Sequence, residues 1–241
     1  MTPFAGKTYW LVGASHGLGR EIARQLADQE ARLILSARSE DALRKLAQEL
    51  CNAIVLPLDV TDTDAVAQAA RTAGPLDGVI YNAGVYEPMR TQNWDSGAVL
   101  KMSDVNFTGA LRVLGEVVPG FVRQRRGDIT LVGSLAGYRG LPASIGYGAS
   151  KAALVSLAET MRHDLKDSGV TVRLVNPGFI KTRLTYKNSF RMPQLMDPED
   201  AARHVIAAMR SRRFRTDFPR PFSFAINALN LLPDWIVYRG K

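Results

Sequence analysis

The sequence predicts an α/β fold, a doubly wound parallel sheet of about seven strands with helices on both faces. Three observations predict it. Short β-rich runs alternate with segments whose apolar residues recur every three or four positions. A glycine-rich turn, Gly13-Ala14-Ser15-His16-Gly17-Leu18-Gly19, joins the first run to the first periodic segment. The 241 residues, 46% hydrophobic and 22% charged, suit a single core of this kind.

Taken in order, Thr8–Val12, Arg32–Ser36, Ala53–Leu58, Gly78–Tyr81, Asp128–Gly133 and Thr171–Asn176 read as buried strands, bounded by Gly, Pro, Asp or Asn. Between them Leu18–Gln29, Glu40–Leu50, Asp62–Ala73 and Tyr147–Lys166 carry the helical period. Such βαβ units take right-handed crossovers and place ligands at the carboxyl ends of the strands, near the point where the strand order reverses. One domain over residues 1–241 is expected. After Pro177 the texture changes: residues 180–197 hold bulky apolar side chains with little regular pattern, which fits a substrate lid, and Pro198 can start a helix. Residues 212–241 read as a basic and apolar C-terminal extension.

Composition excludes several classes. The lone Cys51 cannot form an internal disulfide and is expected to serve packing, and no Cys/His spacing suggests a metal, so none is expected. The N-terminus lacks the pattern of a secretory signal, and no apolar run reaches the roughly eighteen residues of a membrane span, so a cytoplasmic location is expected. The net charge of +8 points to anionic partners without choosing among them. No helix-turn-helix, zinc-finger or aromatic RNA-binding pattern accompanies it, which argues against nucleic acid.

In the glycine-rich turn, Gly13 permits a tight turn, Gly17 lets backbone approach a pyrophosphate, and Gly19 allows close packing. The helix that follows offers free N–H groups from Ser15, His16, Gly17 and Leu18 and a partial positive charge, a place for a dinucleotide phosphate. The spacing Gly-x-x-x-Gly-x-Gly resembles that of the short-chain dehydrogenase/reductase family, a single-domain branch of the Rossmann-type fold. Val12 stands where the family usually has Thr, a change that spares the phosphate-binding backbone. The resemblance extends to Asp59-Val60 as an adenine-contacting pair, to Asn82-Ala83-Gly84 after the fourth strand, and to Pro177-Gly178 with Ile180 and Thr182 as the loop that orients the nicotinamide.

The choice between NAD and NADP is made at the end of the second strand, where a carboxylate would repel a 2′-phosphate. Ala37-Arg38 stands there, and Ser15 or Ser36 can add a hydrogen bond to a phosphate clamped by the guanidinium. NADP(H) is the expected cofactor, with NAD(H) second.

Ser134 closes the fifth strand, and Tyr147 and Lys151 share one face at the start of a helix, so the three can converge. Gly137, Gly140, Pro142 and Ala149-Ser150 extend the family match. An acid/base for carbonyl–alcohol chemistry must trade a proton near neutral pH, whereas free tyrosine titrates near 10. The Lys151 ammonium and the positive ring of an oxidised cofactor are expected to lower the Tyr147 phenol by roughly two to three pH units, worth about 3–4 kcal/mol. The resemblance further implies that Lys151 holds the nicotinamide ribose, that Ser134 bonds the substrate oxygen, and that Asn106 is the fourth catalytic member, holding a water that links Lys151 to solvent.

These readings imply an NADP(H)-dependent oxidoreductase acting on a hydrophobic carbonyl or alcohol, working as a homodimer or homotetramer. The alternatives are a non-catalytic NADP(H)-binding regulatory protein and, among enzymes, an epimerase or dehydratase. Arg210, Arg212, Arg213, Arg215 and Arg220 precede the apolar stretch 222–237. Peripheral membrane contact there is weighed against packing with solvated arginines, and packing is the expectation.

Overall fold

The computed structural model describes residues 2–237. Seven strands form one parallel sheet in the order β3-β2-β1-β4-β5-β6-β7. They are β1 (Thr8–Val12), β2 (Arg32–Ser36), β3 (Ala53–Val55), β4 (Gly78–Tyr81), β5 (Gly127–Val132), β6 (Val170–Pro177) and β7 (Arg215–Phe218). The first strand shows how the sheet divides the core. Its side chains alternate between the faces, so Tyr9 and Leu11 enter one apolar cluster while Trp10 and Val12 enter the other. The first cluster packs against α1 (Gly17–Ala27), α2 (Glu40–Gln48) and α7 (Pro198–Arg210) through Ile22, Leu43 and Val205. The second packs against α3 (Thr63–Ala73), α5 (Gly109–Arg123) and α6 (Ile145–Asp164) through Val66, Val113 and Leu154.

Local chemistry explains several boundaries. The Asp62 carboxylate accepts from the Ala65 N–H at 2.9 Å and starts α3, and Asp95 does the same for α4 (Ser96–Ser103) by accepting from Ala98 at 3.1 Å. Pro198 occupies the first turn of α7, where a missing N–H costs nothing. A π-helical turn over Asp104–Thr108 joins α4 to α5 and carries Asn106 inward. Beyond β7 lie α8 (Phe222–Leu229) and the short α9 (Asp234–Val237).

Some expectations are corrected. The third strand stops at Val55 rather than Leu58, ahead of Pro57, which has no N–H to donate. The fifth ends at Val132, so Ser134 stands just past it as the N-cap of a 3-10 turn, accepting from the Ala136 N–H at 3.1 Å. Cys51 is exposed, because it sits in the turn between α2 and β3 rather than on an inward face. Residues 215–218, expected within an extension, form the edge strand β7, hidden in the sequence because three of its four residues are polar.

Of the arginines before the apolar stretch, Arg210, Arg212 and Arg213 precede the amino end of β7, Arg215 lies in it with its guanidinium over the Tyr138 ring, and Arg220 follows it with its guanidinium 5.1 Å from the Phe224 ring centre. Of the apolar residues, Ile226 is buried, as expected of a packed segment, whereas Phe224, Leu231 and Trp235 are exposed. Among the described residues no helix is long and apolar enough to cross a membrane.

Candidate active site

The strand order reverses between β1 and β4, and the crevice expected at that point opens there. The glycine turn leaves β1 and Asn82-Ala83-Gly84 leaves β4, held together by the Asn82 amide donating to the Gly13 carbonyl at 2.8 Å. Gly13 has φ +94°, and a side chain there would meet the Ala83 backbone N at 2.5 Å. A Cβ on Gly19 would come within 2.0 Å of the Gly13 carbonyl oxygen, which is the close helix-to-strand approach expected of this residue. His16 is the N-cap of α1 but makes no capping bond, and the first turn of α1 holds no acidic residue. The first-turn N–H groups therefore face the crevice without a side-chain cap, beside Ser15 and Gly17.

The crevice measures about 1340 Å³, more than the roughly 300–1,000 Å³ of a single small-molecule pocket. Room for a dinucleotide and a second ligand follows. Its walls carry Arg20, Arg38, Arg90, Lys151, Lys181, Arg183 and Arg191 against one carboxylate, Asp59. Arg38 is exposed at its edge, close enough that its charge acts on Asp59. Burial draws the Asp59 carboxyl upward, but hydrogen bonds from the Thr61 N–H and hydroxyl, with the Arg38 and Lys101 charges, bring it below the usual value. Val60 is buried beside it. A multiply phosphorylated dinucleotide fits this chemistry: uncapped amides at one point, an available guanidinium at another, and little negative charge to oppose it.

Ser36 is corrected as a phosphate ligand. Its hydroxyl accepts from the Trp10 indole at 2.8 Å and donates to the Leu56 carbonyl at 2.7 Å, and the residue is fully buried. Ser39, which lines the crevice and is exposed, is a hydroxyl that the sequence pattern did not single out.

Ser134, Tyr147 and Lys151 converge on the crevice wall. The Tyr147 hydroxyl is hydrogen-bonded with Ser134. Lys151 is buried, its ammonium 5.8 Å from the Tyr147 ring centre and donating to the Val132 carbonyl at 2.8 Å. Asn106 is fully buried. Its amide accepts from the Val85 N–H at 2.7 Å and donates to the Val85 carbonyl and the Ser150 hydroxyl, each at 3.0 Å. Ser150 in turn donates to the Tyr147 carbonyl at 2.9 Å, so Asn106 braces the turn of α6 that carries the phenol.

The expected lowering of the Tyr147 phenol is overturned for the protein's own groups. Burial pushes it above the ordinary tyrosine value, the Ser134 hydrogen bond opposes this, and Tyr86 adds to the rise. Burial also lowers the Lys151 ammonium to about 8. His16 is lowered by burial and by the nearby Arg183 and Arg20 charges.

Pro177 ends β6 and Gly178 begins the loop beyond it. Ile180 is buried and bridges to Met196, and Thr182 lies against Gly17, where a Cβ would meet its methyl at 2.8 Å. The 180–197 segment thus runs over the crevice. Two further residues there were not singled out by the sequence pattern. Tyr86 packs edge-on against Tyr147, and Asn188 accepts from the Tyr86 hydroxyl. Only the position of Tyr86, two residues past Asn-Ala-Gly, could have drawn attention to it. Among the described residues no group of three or more His, Cys, Asp or Glu is placed to hold a metal.

Comparison with known proteins agrees with this geometry. The family model for short chain dehydrogenase matches residues 7–192. An uncharacterized oxidoreductase of Myxococcus xanthus is 36% identical over 242 residues, covering 97% of this chain and 96% of its own length. The ketoacyl reductase HetN of a Nostoc species is 32% identical over 228 residues, covering 88% and 78%. The fold matches, with a TM-score of 0.88, that of a short chain dehydrogenase from Burkholderia cenocepacia solved in complex with NADP, 23% identical and covering 99% of this chain and 98% of that one. From its glycine turn to its crevice the chain belongs to the short-chain dehydrogenase family of oxidoreductases.

Proposed function

We propose that the protein is an NADP(H)-dependent oxidoreductase that interconverts a carbonyl and an alcohol on a hydrophobic small molecule, with Tyr147 as the acid/base. One observation carries the reading: Ser134, Tyr147 and Lys151 meet on the wall of the same crevice whose other end holds Arg38 and the uncapped helix α1. When bound, NADPH supplies the hydride. Arg38, Ser15 and Ser39 hold the 2′-phosphate, the amides from Ser15 to Leu18 hold the pyrophosphate, and Asp59 and Val60 face the adenine. Asn82, Ala83, Gly84, Pro177, Gly178, Ile180 and Thr182 line the nicotinamide end. Tyr147 hands its proton to the substrate oxygen while Ser134 donates to that same atom. Lys151 grips the nicotinamide ribose, and its positive charge steadies the phenolate that remains.

The apolar walls, with Leu141, Leu184, Phe179, Phe190, Phe222 and Ile226, support a hydrophobic substrate under the 180–197 lid. The NADP in the Burkholderia structure and the ketoacyl activity in the name of the Nostoc relative point the same way. A cytoplasmic homodimer or homotetramer is part of the proposal, the exposed Leu111 and Val122 of α5 offering apolar contact to a second copy. The test is NADPH oxidation against ketones and aldehydes graded by chain length and polarity. Turnover rising with chain length is the expected result. NADPH binding without turnover on any of them would favour a regulatory protein, and turnover without net cofactor oxidation would favour an epimerase or dehydratase.

A further inference from the structure

We propose that Tyr86 is a positioning residue that fastens the 180–197 segment over the crevice and, through the same ring, seats the Tyr147 phenol. The inference rests on the assignment of Tyr147 as the acid/base and adds a residue to it. Asn106 holds both the N–H and the carbonyl of Val85, so the chain enters Tyr86 from a fixed point. The Tyr86 ring then stands edge-on to Tyr147, with centroids 5.0 Å apart and planes at 72°. Its hydroxyl reaches the other way and donates to the Asn188 Oδ1 at 2.8 Å, in a half-buried setting. Two more contacts flank it: the Lys187 ammonium donates to the Tyr86 carbonyl at 3.1 Å and pairs with Glu87 at 2.5 Å. The ion pair is exposed and adds little. The Asn188 amide also donates to the Met192 sulfur at 3.3 Å, so the bond from Tyr86 holds more of the segment than one residue.

The two functions of this side chain are chemically separable. A phenylalanine ring would pack against Tyr147 equally well, so the hydroxyl is needed only to reach Asn188. The bond exists only while the segment lies over the crevice, and it shifts the balance toward that state by about two- to tenfold, the net effect of one hydrogen bond. Covering the substrate and seating the proton donor are thereby joined in one residue.

The test uses Tyr86→Phe, Asn188→Ala, the double variant and Tyr86→Ala in the full chain. Limited trypsin digestion reads the segment directly, since Lys181, Arg183, Lys187 and Arg191 are exposed in it. Each single variant is expected to speed cleavage there, and to raise substrate KM, by about two- to tenfold. The double variant is expected to do no more than Asn188→Ala alone, because that substitution already removes the bond from Tyr86 along with the bond to Met192. Tyr86→Ala, which also removes the ring, is expected to lower kcat at least tenfold, a loss that Tyr86→Phe does not share. Additive effects in the double variant, unaltered cleavage in both singles, or equal kcat in Tyr86→Phe and Tyr86→Ala would overturn the proposal. Absence of turnover in the parent chain would instead strike the acid/base assignment, with the cleavage pattern still reporting on the fastening bond.

Discussion

The Tyr147 phenol is asked to give up a proton in surroundings that retain it. Burial raises it, Ser134 alone among its neighbours pulls it down, and the Lys151 charge beside it is itself weakened by burial to about 8. Removing only the transferable proton should therefore remove the chemistry. Tyr147→Phe is expected to bind NADPH as before, measured by fluorescence titration, while kcat falls about 10²–10⁴-fold. Near-normal turnover would mean that another group moves the proton. Arg38 makes a second residue-scale case. Its guanidinium stands exposed at the crevice edge, where its charge acts on Asp59, and a charge-assisted bond to phosphate is worth roughly 1.5–3 kcal/mol. Arg38→Asp should weaken NADPH binding about ten- to a hundredfold and move preference toward NADH. An unaltered ratio of the two affinities would take Arg38 out of the site. The identities of both residues were legible in the sequence, but their environments were not. Ser36 illustrates the limit: beside Arg38 in the chain it reads as a phosphate ligand, yet Trp10 and Leu56 already use its hydroxyl.

At the scale of elements, the glycines of α1 and α5 make opposite demands. Gly19 faces the Gly13 carbonyl so closely that Gly19→Ala must push α1 away from β1 and distort the phosphate turn. Overpacking of this kind costs about 1–3 kcal/mol, so the melting temperature should drop by roughly 2–10 °C and NADPH binding should weaken with it. Gly115, exposed on α5, leaves open space where a Cβ would stand, with nothing within 4 Å. Gly115→Ala should gain about 0.5–1 kcal/mol from helix preference alone, and the pair of melting curves checks both signs. The helix period was readable because it depends on neighbours a few positions apart. Strand β7 was not, since Arg215, Thr216 and Asp217 show no apolar run and owe their place to the edge they complete beside β6.

Across the whole molecule, the buried titratable groups set a response to alkali. Lys151 lies below its ordinary 10.5 at about 8, so between these values the unfolded chain binds the extra proton and stability rises with pH. Tyr9, Tyr81, Tyr138 and Tyr147 are all raised, chiefly by burial, so their contribution is present below pH 10 and is lost as pH climbs past it. Urea denaturation at a series of pH values should therefore show stability climbing from about pH 8 to 10 and falling beyond. Lys151→Met should abolish the climb and stabilise the chain at neutral pH by up to about 3 kcal/mol, while ending turnover. A flat profile from pH 8 to 10 in the parent would show that the ammonium is not buried as described.

Alternating β-rich and helical segments, with Gly, Asn and Asp where strands end, determined the sheet, its helices and the crevice at its switch point. These signals are local, or are matters of spacing, and a chain carries them in plain order. Only the tertiary structure decided which side chains remain free to act. The spent hydroxyl of Ser36, the raised phenol of Tyr147 and the bond from Tyr86 to Asn188, 102 positions away, all depend on which distant segments pack together. Burial and partnership are properties of that packing, and no local pattern encodes them.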